Sequence, residues 1–295
     1  MLKFIGIHSA LDFILIKLFV YIPTALIIYK LSKLYLNEKK ALITLIIFSA
    51  LPGYILSNSL LMRDNIILLL SCIVIYYIFC KKINLLILIP AIILLIGFRA
   101  YLILVFAACL VLTFRNNKKL ISKYDLIYVI LILVAIYLIS NFNFTLEHSN
   151  IFFSYYQIID LQEKFISLYG SGILGIVKLI ILTLIHIIID PVLINFLTSG
   201  NLYFILFSLG NILGSLLSVI FAIKYLLLSI KLFKLSNEKY IFLIKFTAYF
   251  TILTSFIVMS KDGYIINRIA LMWIPLFIII LLIPFNYSYK KRTSN

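Results

Sequence analysis

What constrains this chain most is the length of its apolar runs. Stretches of roughly 15 to 25 apolar residues follow one another along nearly the whole sequence, separated by short charged clusters, and a helix of that length covers a hydrocarbon core of about 30 Å. Strands of an outer-membrane barrel would alternate apolar and polar residues over about ten positions, and Ala41 to Phe48 or Leu271 to Leu282 do not alternate. A water-soluble fold is excluded by composition: 64% of the residues are apolar and 12% charged, where soluble domains run near 45 to 50% and about 25%. The expected fold class is all-α, a polytopic transmembrane helical bundle.

The first run, Leu11 to Ile28, has no small-residue cleavage site and holds Asp12 and Lys17, so it reads as a retained helix rather than a signal peptide. Cys72, Cys80 and Cys109 fall inside apolar runs with no CxxC spacing; they are expected to be small apolar side chains, with no disulfide, metal or cofactor. The formal charge of +16 would suit nucleic acid, but the cations sit in short loops between spans, where they set orientation instead. Heavy use of Ile, Lys, Asn, Phe and Tyr looks like an AT-rich, bacterial coding sequence, which discounts enrichment arguments.

Charge also orders the topology. Five basic clusters are expected to be cytoplasmic: Lys30 to Lys40, Lys81 and Lys82, Arg115 to Lys123, Lys224 to Lys245, and Lys290 to Arg292. They hold eighteen of the 26 cations, with three of the ten acids, Glu38, Asp125 and Glu238, in or near them, so one face nets +15 and the other +1. About nine spans satisfy this, at 10–29, 41–57, 65–80, 83–98, 100–114, 124–142, 202–223, 241–259 and 269–286. The N-terminus is then outside and the C-terminus cytoplasmic. Ile173 to Leu197, with Lys178, His186, Asp190 and Pro191, is left over; crossing would put the basic segment 224–239 outside, so it is expected as an outer re-entrant or interfacial segment. The spans on either side of Arg99 are short, about 22 to 24 Å at 1.5 Å per residue, which draws Arg99 toward the membrane. The competing arrangement is one helix kinked through Pro90 with Arg99 near its middle.

No repeat or linker divides the chain, and 1–295 reads as one integral membrane domain. Its long hydrophilic stretch, 143–172, belongs to an outer loop over 143–201. Apolar residues around Asp160, Glu163 and Lys164 suit an amphipathic interfacial helix there, and Gly170, Gly172 and Gly175 are expected hinges. Gly210 and Gly214 form a GxxxG that suits helix packing.

Once the topological charges are set aside, the others gather on the outer side: Arg63 and Asp64 before the third span, Arg99 between the short spans, and Lys261, Asp262 and Arg268 in the last outer loop. A guanidinium beside an apolar run is costly unless paired, and its planar fork matches phosphate. Three such arginines suggest an anionic, lipid-borne substrate; taken singly, each also suits a snorkelling or salt-bridged anchor. Asp64 suits a base, a partner for Arg63, or a cap for a helix beginning at Asn65. No Walker motif, HExxH or serine elbow is present.

Leu51-Pro52, then Ser57 to Asp64, then Phe98-Arg99-Ala100-Tyr101 between two short spans, resembles the Pro...(Lys/Arg)-Asp...Arg-Pro-Tyr pattern of Wzy-type and EpsG-like polysaccharide polymerases, which are GT-C-like membrane glycosyltransferases. Gly263 to Arg268 with Trp273-Ile274-Pro275 is similar to their last outer loop and final helix, and Asp190-Pro191 to their proline-bearing outer segment. Ala100 stands where the family has proline. The resemblance implies polymerisation of polyprenyl-pyrophosphate-linked oligosaccharide repeat units at the outer face of a bacterial cytoplasmic membrane. In that reading Arg99 and Arg268 neutralise the diphosphate and Asp64 is the first choice of base. Arg63, Tyr101, Glu147, His148, Asp190, Lys261 and Asp262 would line the substrate. The implied partners are the lipid-linked glycan, membrane lipid, a flippase and a chain-length regulator, and no nucleic acid. A transporter or flippase for a lipid-linked or anionic substrate is the alternative, although paired broken helices in matching halves are not evident.

Overall fold

A computed structural model of the chain describes residues 10–52, 54–55, 63–80, 82–114, 167–170, 172–188, 202–229, 233–234, 238–262, 271–284 and 286–287. These residues are almost wholly helical. In chain order the elements are α1 (Ala10–Lys33), α2 (Glu38–Ser49), α3 (Arg63–Phe79), α4 (Leu85–Phe114), α5 (Gly172–Ile188), α6 (Leu202–Ser229), β1 (Phe233–Lys234), α7 (Glu238–Asp262), α8 (Ile274–Leu282) and β2 (Asn286–Tyr287). Among the described residues, three stretches are long and apolar enough to cross a membrane: Leu85–Phe114, Ile212–Ser229 and Lys239–Met259. By this measure the chain is a helical membrane protein.

Local chemistry sets several helix ends. Asn37 caps α2 by accepting from the backbone N–H of Lys40 at 3.0 Å, and Asn84 does the same for Leu86 at 3.1 Å ahead of α4, each satisfying a donor with no partner inside its helix. The turn at Ala50 and Leu51 leads into Pro52, and α2 ends after 12 residues. Pro275 opens α8, where its fixed φ suits the first helical turn, and α8 ends after nine residues just before Pro284. The helices inside the expected spans 41–57 and 269–286 are therefore shorter than those spans, and proline is the physical reason in both. Conversely, α6 runs on to Ser229, past the expected end at residue 223. The two-residue antiparallel ladder pairing Phe233 with Tyr287 and Lys234 with Asn286 was not foreseen, since two residues carry no periodicity.

The chain divides into two compact units. In the first, residues 1–103, 191–222 and 266–284, α1 packs on α2 and α3, and α2 packs on α8. Tyr54 is buried against Tyr21 and Phe48, with ring centroids 5.5 and 4.5 Å away. Phe221 of α6 stacks on Phe277 of α8 at 4.5 Å. A Cβ on Gly214 would stand 3.6 Å from Ile274 Cδ1, so the second glycine of the GxxxG lies against α8. Lys40 Nζ donates to the carbonyl of Leu282 at 3.0 Å, placing a cation on the C-terminal turn of α8, where the helix dipole favours it.

In the second unit, residues 104–190, 223–265 and 285–295, α5 packs on α7. Phe106 stacks on Phe246 and Phe250 at 6.5 and 5.0 Å. The Tyr169 hydroxyl donates to the Met259 carbonyl, which fastens the turn before α5 to α7. Gly170 has φ +87°, the left-handed region open to glycine, and a Cβ on Gly175 would collide with the Gly170 carbonyl oxygen. Two of the three expected hinge glycines thus have a conformational or close-packing role.

Lys245, counted above with the basic cluster and inside the expected span 241–259, lies within α7, completely buried, with Nζ 5.9 Å from the Tyr249 ring centre.

Candidate functional site

The site is built where α4 stops being a regular helix. Arg99 has φ −154° and ψ 79°, an extended conformation between two helical stretches, 85–98 and 100–114. A straight helix of 30 residues would be about 45 Å long, well beyond a core of about 30 Å. The apolar face carries on through the interruption, with Leu95 and Leu102 both fully buried.

From this break Arg99 reaches α3. One terminal nitrogen donates to Asp64 Oδ1 at 2.9 Å and the other to the Tyr101 hydroxyl at 2.8 Å. The guanidinium carbon also lies 6.0 Å from the Tyr101 ring centre. The Arg99 and Asp64 side chains are 16% and 6% exposed, so water screens the pair weakly. Asp64 sits in the first turn of α3, where the helix N-terminus favours a carboxylate. A guanidinium has five N–H donors; two are used here, and Arg99 makes no further hydrogen bond among the described residues. The arrangement offers a cation oriented by two partners and still able to donate, which is what recognition of a phosphate oxygen requires.

Three of the residues singled out in the sequence, Asp64, Arg99 and Tyr101, therefore come together, although 35 positions separate the first two. Asp64 pairs with Arg99, and the helix it was expected to cap at Asn65 begins earlier, at Arg63. Lys261 and Asp262 are the last two residues of α7. The side chains of Arg63, Lys261 and Asp262, and the whole of Glu147, His148, Asp190 and Arg268, lie outside the described residues. Among the described residues no cluster of His, Cys, Asp and Glu could hold a metal ion.

Sequence reasoning overlooked a second polar feature, on α7. Buried helical hydroxyls in this protein commonly donate to the carbonyl four residues back, as Ser32, Thr113, Thr183, Ser218 and Thr247 do. Thr251, Thr254 and Ser255 are equally buried, yet their hydroxyls have no partner among the described residues. With Thr247 they occupy one face of α7, at the i, i+4, i+7, i+8 spacing that was legible in the sequence.

No family model matches the chain, and no curated protein or solved structure matches it.

Proposed function

We propose that this chain is a membrane glycosyltransferase that polymerises polyprenyl-pyrophosphate-linked oligosaccharide repeat units at the outer face of the cytoplasmic membrane. The observation that carries the reading is the guanidinium of Arg99, held at a helix break by Asp64 and Tyr101 with donors to spare. Such a group stabilises the charge that builds on a diphosphate as its bond to the sugar breaks, the electrostatic contribution that is usually largest in a transfer of this kind. The bond from the donor sugar carbon to the phosphate oxygen breaks, and its electron pair leaves with the diphosphate. The acceptor hydroxyl oxygen bonds to the same carbon and gives up its proton to a base. In this reading Arg268 adds charge at the diphosphate, and Arg63, Glu147, His148, Asp190, Lys261 and Asp262 line the substrate path. The topology in this reading has about nine spans with the N-terminus outside, counting 83–98 and 100–114 as separate crossings.

The test is the length distribution of surface polysaccharide in the native host, with Arg99→Ala and Arg99→Lys compared with wild type at matched protein level. Single repeat units with Arg99→Ala and partial chains with Arg99→Lys are expected. Unchanged chains in both variants would leave Arg99 an anchor and favour transport over polymerisation.

A further inference from the structure

We infer that Asp64 is a displaceable counter-ion: the diphosphate of the lipid-linked donor takes its place on Arg99, and the released carboxylate receives the proton of the acceptor hydroxyl. This rests on the reading above and deepens it at the same site. The two partners of the guanidinium differ in kind. Tyr101 holds it through a neutral hydroxyl and the face of its ring, a contact that favours the cation without opposing an anion. Asp64 holds it through a charged oxygen on the other terminal nitrogen, the kind of acceptor a phosphate supplies.

With Asp64 only 6% exposed, a diphosphate binding Arg99 beside it would bring like charges together where solvent screens poorly. Exchange avoids that repulsion. Tyr101 keeps the guanidinium in place while the anions change, and the N-terminal turn of α3 favours the freed carboxylate. Drawn back from the diphosphate, the carboxylate stays in the same site with its oxygens free of the guanidinium, and there it can serve as the base for the acceptor hydroxyl. The proton it accepts leaves to water when the pair re-forms.

A counter-ion that competes with substrate makes a prediction opposite to one that merely orients Arg99. Full-length protein in lipid nanodiscs is titrated with farnesyl diphosphate, with farnesol as the lipid-only arm and inorganic pyrophosphate as the phosphate-only arm. Asp64→Asn is expected to bind both diphosphates about tenfold more tightly than wild type and farnesol no differently. Asp64→Glu, which keeps the competitor, is expected to bind like wild type, and Arg99→Gln to lose diphosphate binding. In the host, Asp64→Asn is expected to stop chain growth despite its tighter binding.

Equal or weaker diphosphate binding by Asp64→Asn, or an equal gain for farnesol, overturns the exchange and leaves the phosphate reading of Arg99 standing. If wild type and Asp64→Asn both bind farnesyl diphosphate no better than farnesol, the proposed function and the exchange fall together. Should Asp64→Asn fail to fold, infrared difference spectra of aspartate-labelled wild type on adding farnesyl diphosphate decide. A shift in a carboxylate band that Arg99→Gln lacks is expected, and its absence overturns the exchange.

Discussion

Helices α4 and α7 are both long enough to cross a membrane, and they bury themselves in opposite measure. In α4 28% of the apolar window is buried, in α7 78%. The more apolar helix is the more exposed one. Leu86 and Leu104 of α4 are exposed, whereas α7 carries Lys245, Thr247, Thr251, Thr254 and Ser255 into the interior. In water such an arrangement would be inverted. In lipid it follows from solvation, because hydrocarbon solvates leucine as well as a protein core does, while polar groups must face other protein groups. The same rule explains Arg99, the polar residue in the middle of α4, which is satisfied by Asp64 and Tyr101.

The contrast is tested hardest by removing bulk from each helix. Phe250→Ala in α7 takes a fully buried ring off Phe106 and should cost about 3 to 5 kcal/mol. Leu86→Ala, at a position 87% exposed on α4, should change stability by no more than about 0.5 kcal/mol. Comparable losses in thermal midpoint for the two variants in the same lipid would break the distinction.

The next largest effect is expected at the break. Asp64→Ala leaves the Arg99 guanidinium largely buried without its anion, which should cost about 3 kcal/mol. Adding Arg99→Ala should recover part of that loss in a double-mutant cycle, because removing both charges leaves none uncompensated. Strictly additive losses would mean that the two side chains do not depend on each other.

A smaller effect of opposite sign sharpens the account of α7. Thr254→Val replaces a buried hydroxyl that has no partner among the described residues with a methyl of similar size. It should raise stability by about 1 kcal/mol. Thr247→Val, which removes a hydroxyl bonded at 2.7 Å to the Leu243 carbonyl, should not. Destabilisation by Thr254→Val would show that its hydroxyl is satisfied in the membrane.

The smallest effect lies outside the spans. At the turn between α1 and α2, the Tyr29 hydroxyl and then Lys33 hold the Glu38 carboxyl below the ordinary carboxylate range. A carboxyl depressed in the folded state contributes stability above its unfolded value, near 4.5, and loses it as pH falls through the lower folded value. The difference in midpoint between wild type and Glu38→Gln should therefore be largest near neutrality and vanish below pH of about 3. It should be slight throughout, because these groups are exposed to water.

Much of this was legible in the sequence, for identifiable reasons. Helix α1 and the cores of α3, α6 and α7 follow from long, predominantly apolar runs, and Arg99 as a point of interruption follows from one cation between two short apolar stretches. The ends of α2 and α8 were harder, because the apolar run continues past the prolines that stop or start the helix. The place of Lys245 within the span 241–259 was legible, but its complete burial was not, because charge density along a sequence does not say which side chains of a helix are covered.

Composition and run length alone determined that this chain is helical and belongs in a membrane, since each helix satisfies its own backbone and needs no distant partner to do so. Which polar residues meet was decided by the tertiary structure. Asp64 and Arg99 lie 35 positions apart, on helices whose apolar faces fit many rotations equally well in lipid. Only the packing of the first unit brings carboxylate, guanidinium and phenol together.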